Sequence, residues 1–217
     1  MELFSFFNSS ASYRVRIALA LKDIPFEYHP INIRTGEHHK EVYVKGSSPS
    51  ASVPAMRDGE FSLSQSLAII DWLDAHYPEP RLIPINGDAR ARVLELSCLI
   101  ACDIHPVNNM RILKYLQDEL KVTPTQKEAW YQHWIAEGMD AVERLLQRAE
   151  KQSGGPWCFG KVPTLADCCL IPQMANAKRF GCDLSRYSLA NAIYLHAMAD
   201  PAFIQAAPTN QPDHIAP

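Results

Sequence analysis

Residues 8–17 carry the side chains best suited to chemistry, because three serine hydroxyls stand at the predicted start of a helix. Ser9, Ser10 and Ser12 follow the apolar run 3–7, which has the pattern of a buried strand. The free backbone N–H groups and positive dipole end of such a helix start favour a thiolate, a carboxylate or a phosphate. Serine also caps helices without any ligand, so the pattern alone leaves both interpretations open.

The elements around this corner alternate between strand and helix patterns. We predict strands at 3–7 and 26–31, helices at 12–22 and from Gln65-Ser66 onward, and a hairpin of 53–57 and 60–63 around an Asp58-Gly59 turn. The order is β-α-β followed by β-β-α, and Pro54 heads the third strand. This arrangement resembles the thioredoxin fold as glutathione-dependent enzymes use it.

The second part of the chain has helical patterns only. The proline-rich segment 77–84 cannot continue a helix and marks the predicted domain boundary. Helices are predicted at 88–118, 123–152, 164–180 and 185–199. Thr164 and Asp167 have the spacing of a capping box, in which each side chain satisfies the other residue's backbone. Residues 208–213 are predicted to be extended or mobile.

Composition excludes several classes of protein. The 217 residues have a net charge of −3 with scattered Lys and Arg, so we expect neither a nucleic-acid partner nor a membrane surface as a partner. Residues 1–4 lack the basic start of a signal peptide, and no apolar run is long enough to span a bilayer, so we expect a cytoplasmic protein. The six cysteines form no C-x-x-C pair, which predicts free, buried thiols and no metal site.

Several segments together resemble the zeta class of cytosolic glutathione transferases. Residues 9–19, with the sequence SSASYRVRIAL, resemble the class signature S-S-C-S-x-R-V-R-I-A-L. Residues 103–113 resemble the matching second-domain segment of bacterial zeta enzymes. The similarity includes residues 162–167 and the tail 211–213, and it covers nearly the whole chain.

This resemblance implies a fold and an activity. The fold class is an α/β thioredoxin-like N-terminal domain, residues 1–80, joined to an all-α C-terminal domain, residues 88–217. Zeta enzymes include maleylacetoacetate isomerase and maleylpyruvate isomerase, which use glutathione as a cofactor to turn a cis double bond trans. The resemblance therefore implies glutathione, a maleyl diketo acid as the substrate, and a two-fold homodimer.

The resemblance also assigns roles to residues of this chain. Ser9 is implied to hydrogen-bond the glutathione sulfur, with Ser10 and the adjacent backbone as helpers. The other implied glutathione contacts are Ala11, Ser12, His39, Val53, Gln65, Ser66, His105 and Asn109. Val53 precedes the family's cis-proline, where a strand edge pairs with the cysteinyl backbone of glutathione. Gln65 and Ser66 match the pair that holds the γ-glutamyl carboxylate.

Simpler interpretations stand beside some of these roles. His39 has the character of a solvated loop histidine beside His38, and Gln65-Ser66 has the composition of an ordinary helix cap. His105 is different, because the proline after it breaks the hydrogen-bond ladder and should bend the helix there.

Two positions depart from the family pattern and bear on the substrate. Ala11 replaces the signature cysteine, so no side-chain thiol acts at that position. Asn8 stands where relatives often carry an arginine that can meet a substrate carboxylate. Arg111 and Arg179 remain as candidate carboxylate ligands, since a guanidinium pairs bidentately with a carboxylate, and an ordinary surface role is the alternative for each.

Three functions are consistent with these patterns. The favoured one is glutathione-dependent cis–trans isomerisation of maleylacetoacetate or maleylpyruvate, in aromatic compound or tyrosine catabolism. The same thiolate without a return step would give conjugation, or dehalogenation of small α-halo acids. A non-catalytic glutathione-fold binding protein is the third, and the joint presence of Ser9, Pro54, Gln65 and Ser66 argues against it.

Overall fold

A computed structural model describes residues 1–215, which form two compact units. The first unit contains Met1–Ile83 together with the chain from Ala197 onward, and the second contains Pro84–His196. The predicted domain ranges, 1–80 and 88–217, remain a prediction. The chain after residue 196 belongs to the first compact unit, whereas the predicted ranges include it in the second domain. It does so because the helix Pro201–Ala206 packs on the first helix of the first unit.

The first unit is built on a mixed four-stranded sheet. Its strands are β1 (Glu2–Ser5), β2 (Glu27–Pro30), β3 (Ala55–Asp58) and β4 (Phe61–Ser64). They lie in the order β2-β1-β3-β4, with β1 and β2 parallel and the other two pairs antiparallel. Its helices are α1 (Ser10–Leu21), α2 (Glu41–Gly46) and α3 (Ser66–His76), with a 3₁₀ turn at Glu37–His39. The predicted thioredoxin-like order of elements is confirmed.

The hairpin differs from its prediction by one residue. Asp58 pairs with Phe61, so the two-residue turn consists of Gly59 and Glu60 and not of Asp58 and Gly59. Gly59 has a φ of +58°, a left-handed conformation that glycine adopts without steric cost. The shift leaves the strand pairing around the hairpin as the sequence predicts.

The strand register decides which segments meet at one edge of this sheet. Phe4, near the end of β1, pairs with Ala55, the first residue of β3, and Ala55 pairs with Ser64, the last residue of β4. The chain therefore leaves β1, enters β3 and leaves β4 at the same edge. This edge brings together Ser9, Val53 and Gln65, which lie just beyond the three strand ends.

A buried ion pair ties α1 and α3 to the segment after them. Lys22 Nζ lies 2.7 Å from Asp74 Oδ1, and both side chains are almost fully buried. The Asp74 carboxylate also accepts the backbone N–H groups of Leu82 and Ile83, each at 2.8 Å. Because a buried carboxylate needs such partners, this network fixes the proline-rich segment against the first unit.

The second unit is helical, as predicted. Its helices are α4 (Gly87–Cys98), α5 (His105–Val107), α6 (Met110–Asp118), α7 (Pro124–Gln152), α8 (Leu165–Arg179) and α9 (Ser188–Ala197), with a π-helical turn at Leu99–Ile104. Asp167 caps α8, since its carboxylate accepts the Thr164 N–H at 2.7 Å, the Thr164 hydroxyl at 2.9 Å and the Cys158 N–H at 2.9 Å.

The predicted single helix at 88–118 is wrong. The structure breaks it after Val107, because Pro106 lacks an N–H group and the Asn109 side chain caps a new helix by accepting the Arg111 N–H at 3.2 Å. Nearby, Gly138 of α7 allows a close approach, since a Cβ there would lie 2.4 Å from Ile104 Cγ1. The absence of a side chain at position 138 thus lets α7 pack closely against the residue before His105.

The chain after α9 is ordered through its last described residues. Helix α10 (Pro201–Ala206) packs on α1, and a 3₁₀ turn at Pro208–Asn210 follows it. Asp213 accepts hydrogen bonds from the Phe7 N–H and the Tyr28 hydroxyl. The predicted extended or mobile tail is therefore wrong, because contacts with distant residues replace the regular structure that its sequence lacks.

The six cysteines are free thiols, as predicted, but they are not all buried. Cys158, Cys168 and Cys169 are buried, Cys182 is partly exposed, and Cys98 and Cys102 are exposed. Within residues 1–215, no helix is long and apolar enough to cross a membrane. The same residues contain no group of three or more His, Cys, Asp or Glu arranged to hold a metal ion.

Candidate active site

The serine corner begins with Ser9, which is the N-cap of α1. Its Oγ accepts the Ser12 N–H at 3.2 Å, so the capping interpretation is correct as far as it goes. A serine oxygen that accepts one bond still carries a hydroxyl hydrogen to donate. Ser10 and Ser12 are buried, and Ala11 is partly exposed in the first turn between them. The cap and an anion site are therefore compatible.

Val53 lies at the same sheet edge, one residue before Pro54. The Val53–Pro54 peptide bond is cis, which confirms the expectation for this position. Val53 is almost fully buried, and Ala55 directly after the proline begins β3. The backbone of Val53 thus lies just before the paired part of β3. There an extended peptide can form backbone hydrogen bonds with it.

The third segment at this edge is the start of α3. Gln65 has a φ of +77°, which is uncommon for a residue with a side chain, and its side chain is exposed. Ser66 begins α3, is buried, and accepts a hydrogen bond from Arg14 Nη1 at 3.2 Å. A buried guanidinium beside a helix start adds positive potential to it, so this corner suits a carboxylate.

His39 is the last residue of the 3₁₀ turn in the first unit. Its ring is exposed and lies 3.9 Å, centroid to centroid, from that of His38. Among residues 1–215, no hydrogen bond, ion pair or ring contact joins His39 to the serine corner or to the start of α3. Its role as a glutathione ligand remains a prediction.

In the second unit, three of the predicted residues share one corner. Asn109 Nδ2 lies 3.5 Å from His105 Nε2, and Asn109 Oδ1 accepts the backbone N–H of Arg111. Arg111 is exposed on the first turn of α6. The break in the helix therefore places the His105 imidazole beside the Asn109 amide, with the backbone of Arg111 bound to the same amide.

Arg179 lies near the end of α8 and is held on two sides. It donates to Asn176 Oδ1, and its guanidinium carbon lies 4.7 Å from the centre of the Phe180 ring. Asn176 in turn donates to the Tyr131 hydroxyl at 2.9 Å. Burial raises the pKa of that hydroxyl, so it remains protonated at neutral pH.

A buried amide extends this network towards the α5–α6 corner. Asn108 Nδ2 donates to the Tyr131 backbone oxygen at 3.2 Å. Tyr131 therefore contacts both the residue next to Asn109 and the partner of Arg179. Arg111 and Arg179 are both exposed, which is compatible with a surface role and with binding a substrate carboxylate. Asn109 binds the backbone of Arg111, and Asn176 binds the side chain of Arg179.

The comparisons with known proteins agree with this geometry. A family model described as glutathione S-transferase, N-terminal domain, matches residues 3–81. A probable maleylacetoacetate isomerase of Vibrio cholerae is 46% identical over 97% of this chain and 97% of its own length. A holo structure of maleyl pyruvate isomerase, a bacterial glutathione S-transferase in zeta class, is 43% identical, with a TM-score of 0.95 over 99% of this chain and 100% of that chain.

The chain belongs to the zeta class of glutathione transferases. The predicted family and fold class are thereby confirmed. A further solved structure, maleylacetoacetate isomerase of Methylobacterium extorquens AM1 with bound malonate and glutathione, is 31% identical, with a TM-score of 0.91 over 100% of both chains. That protein binds a dicarboxylate together with glutathione.

Sequence reasoning missed two arginines that shape the first-unit corner of this zeta-class chain. Arg14 and Arg16 are buried on α1, within the run 12–19 in which every residue is buried. Arg14 positions the Ser66 hydroxyl, and Arg16 bonds to the backbone before Ser9. The sequence did carry a signal for them, because two arginines lie inside an apolar helical run. Arginines are rarely buried unless they are paired, so this pattern indicates buried polar partners.

Proposed function

We propose that this chain is a glutathione-dependent cis–trans isomerase of a maleyl diketo acid, maleylacetoacetate or maleylpyruvate. The observation that carries the proposal is the serine corner, Ser9–Ser12, retained at a helix start in a chain similar over its whole length to named isomerases. Relatives carry both substrate names, so the proposal includes both substrates.

The residues present fit glutathione. Bound glutathione has three anionic groups, the thiolate, the γ-glutamyl carboxylate and the glycyl carboxylate. For the first two, the sheet edge offers two helix starts with serine hydroxyls, at Ser9 and Ser66. Between them, the backbone at Val53 can pair with the peptide. When bound, glutathione supplies a thiolate that adds reversibly to the conjugated double bond, so that the bond can rotate before the thiolate is expelled unchanged.

Ser9 stabilises the thiolate in this proposal. Holding a thiol pKa about two units below its free value of about 8.5 requires about 2.7 kcal/mol of preferential stabilisation. One charge-assisted hydrogen bond contributes roughly 1.5–3 kcal/mol and a helix end roughly 0.3–1 kcal/mol. The Ser9 hydroxyl and the start of α1 together can therefore supply this stabilisation without a buried base.

Gln65 and Ser66 hold the γ-glutamyl carboxylate. The N–H groups of the first turn of α3 and the Ser66 hydroxyl are donors for an anion, and the buried Arg14 adds a positive charge behind them. These contacts lie far from the reacting double bond. They bind ground state and transition state equally, so they set affinity and not rate.

Arg111 and Arg179 bind the substrate carboxylates. Each is exposed, and Arg179 is held by Asn176 and the Phe180 ring, so binding a carboxylate costs it little side-chain freedom. A cation near the substrate also stabilises the negative charge that develops on its carbonyl oxygen. With Asn8 in place of an arginine, the first unit supplies no cation at that position.

We propose that the protein acts as a homodimer in the cytoplasm. A partly exposed aromatic stack supports the dimer, since Phe61 packs on Trp72 at 5.6 Å and Trp72 on His76 at 3.9 Å, and exposed apolar surface is commonly covered by a partner. Six free thiols support a reducing compartment.

Each of these two proposals has its own test. Sedimentation equilibrium should give twice the chain mass, and a monomer would contradict the dimer. Cell fractionation should place the enzyme in the cytosol, and an exported protein would contradict the cytoplasmic location.

The first test of the activity is the fate of glutathione. Isomerisation of either maleyl diketo acid should require glutathione and proceed to completion with far less glutathione than substrate, because addition and elimination regenerate the thiol. Free thiol and product are measured during the same turnover. Loss of one thiol per product would assign conjugation to the chain.

The second test separates rate from affinity. Ser9→Ala should lower kcat at neutral pH about 30- to 150-fold, which corresponds to roughly 2–3 kcal/mol of thiolate stabilisation, and should change glutathione affinity little. Gln65→Ala should weaken glutathione binding and spare kcat. Steady-state kinetics with varied glutathione measure both.

Ser9→Ala also removes a helix cap, so it needs a matched control. Thr123→Ala removes the cap of α7, where Thr123 Oγ1 accepts the Gln126 N–H at 3.2 Å. Both variants should lose about 1 kcal/mol of stability, and the Thr123 variant should keep full activity. Full activity and an unchanged pH profile in Ser9→Ala would show that Ser9 does not stabilise the thiolate.

The third test concerns the substrate carboxylates. Replacing Arg111 or Arg179 by Met removes a charged hydrogen bond of roughly 1.5–3 kcal/mol and should lower kcat/KM about 10- to 100-fold on a maleyl diketo acid. Activity on an uncharged aryl halide should be spared. Arg144→Met, at an exposed arginine of α7, serves as the control.

Two outcomes would contradict this role for the arginines. Equal losses on both substrates would make them structural residues or glutathione contacts, and no loss on either would make them surface residues. Asn8→Arg gives an independent measurement, because a restored cation should tighten the binding of dicarboxylate substrates if that corner faces the substrate. An unchanged KM would place the second carboxylate elsewhere.

A further inference from the structure

The three residues between β1 and the serine corner, Phe6–Asn8, are held by hydrogen bonds to their backbone. These bonds come from α1 and from the C-terminal tail. We call this segment the loop 6–8. Phe6 and Phe7 are buried, and the Ser9 N–H donates to the Phe6 carbonyl oxygen at 3.0 Å. Any shift of this loop therefore moves Ser9 directly.

Arg16 holds the loop from the side of α1. Its Nη1 donates to the Phe6 oxygen at 3.3 Å, and its Nη2 donates to the Phe7 oxygen at 2.9 Å. The same guanidinium bonds through Nε to the oxygen of Ala206 in α10 at 2.9 Å. The carbonyls of the loop and the end of α10 are thus fixed by one buried side chain.

Asp213 holds the loop from the tail. Its Oδ2 accepts the Phe7 N–H at 3.0 Å, and its Oδ1 accepts the Tyr28 hydroxyl at 2.6 Å. The ring of His214 packs edge-on against Phe7 at 5.3 Å. Phe7 therefore has its oxygen bound by Arg16 and its nitrogen bound by Asp213, which fixes the orientation of the peptide planes on both sides of this residue.

We propose that Asp213 is a positioning residue that fixes the Ser9 hydroxyl against the glutathione sulfur through the loop 6–8. This inference rests on the proposed role of Ser9. A hydrogen bond to a thiolate depends steeply on geometry, and a displacement of about 1 Å can lower a rate about 100-fold. Asp213 touches neither the thiol nor the substrate in this proposal, and it acts through Phe7 alone.

The tail offers a matched control for this residue. Gln211 Nε2 donates to the oxygens of Gln205 and Ala207, each at 2.9 Å, so Gln211→Ala also removes two tail hydrogen bonds but leaves Phe7 bound. Asp213→Asn is the conservative variant, since its amide oxygen can accept the Phe7 N–H while its NH₂ group donates to the Tyr28 oxygen. Asp213→Ala removes both bonds.

The readout is the pKa of enzyme-bound glutathione, measured by the ultraviolet absorbance of the thiolate as pH is varied, together with glutathione affinity and kcat. Asp213→Ala should raise that pKa by about half a unit to one unit. From a starting pKa of about 6.5, this lowers the thiolate fraction, and with it kcat at about pH 7, about 1.5- to threefold. Glutathione affinity should stay within about twofold, because Val53, Gln65 and Ser66 are untouched. Gln211→Ala and Asp213→Asn should keep the normal pKa.

A double variant shows whether Asp213 acts through Ser9. In a Ser9→Ala background, Asp213→Ala should cause no further rise of the bound-thiol pKa, since the hydroxyl that it positions is absent. A second rise of the same size would overturn the inference, and so would an Asp213→Asn or Gln211→Ala variant as impaired as Asp213→Ala. An unchanged pKa in Asp213→Ala, with Ser9→Ala raised, would overturn it and leave the role of Ser9 intact. An unchanged pKa in Ser9→Ala would instead overturn the role of Ser9.

Discussion

The buried guanidinium of Arg16 is the interaction on which the candidate site of the first unit depends. It binds the Ser5 hydroxyl, the oxygens of Phe6 and Phe7, and the oxygen of Ala206, and so joins β1, the loop after it and α10. Burial lowers its pKa to about 10, which still leaves it charged at neutral pH. The planar guanidinium offers five N–H donors in a fixed fork, so it reaches four acceptors on three segments, which is more than the three donors of a lysine ammonium can satisfy.

The parts of the site that follow from local sequence were predictable. The helix start at Ser9 is signalled by an apolar run followed by hydroxyls, and the helix at Gln65-Ser66 follows from a similarly short pattern. The cis bond before Pro54 was expected from the family resemblance. Their meeting at one sheet edge then follows from strand order alone. Among these local patterns, the position of the hairpin turn was predicted one residue too early. Asp58-Gly59 and Gly59-Glu60 both contain a glycine that suits a two-residue turn.

The parts that depend on distant contacts were not predictable. A tail with few apolar residues predicts mobility, and nothing near Asp213 in the sequence indicates that its carboxylate binds the Phe7 N–H. The break between α5 and α6 was half visible, since Pro106 weakens the helix but the cap at Asn109 decides where it restarts. Side-chain roles such as that of Arg179 depend on neighbours from other helices, which periodicity does not identify.

The bond between Asp213 and Phe7 joins residues 206 positions apart and has a consequence for biosynthesis. The ribosome makes the strands, the serine corner and the whole second unit before it makes Asp213. A nascent chain can therefore bury much of the first sheet while the loop before Ser9 still lacks one of its anchors. Chains cut short before residue 213 should fold without the finished corner, so the order of synthesis delays the reactive geometry until both units have been translated.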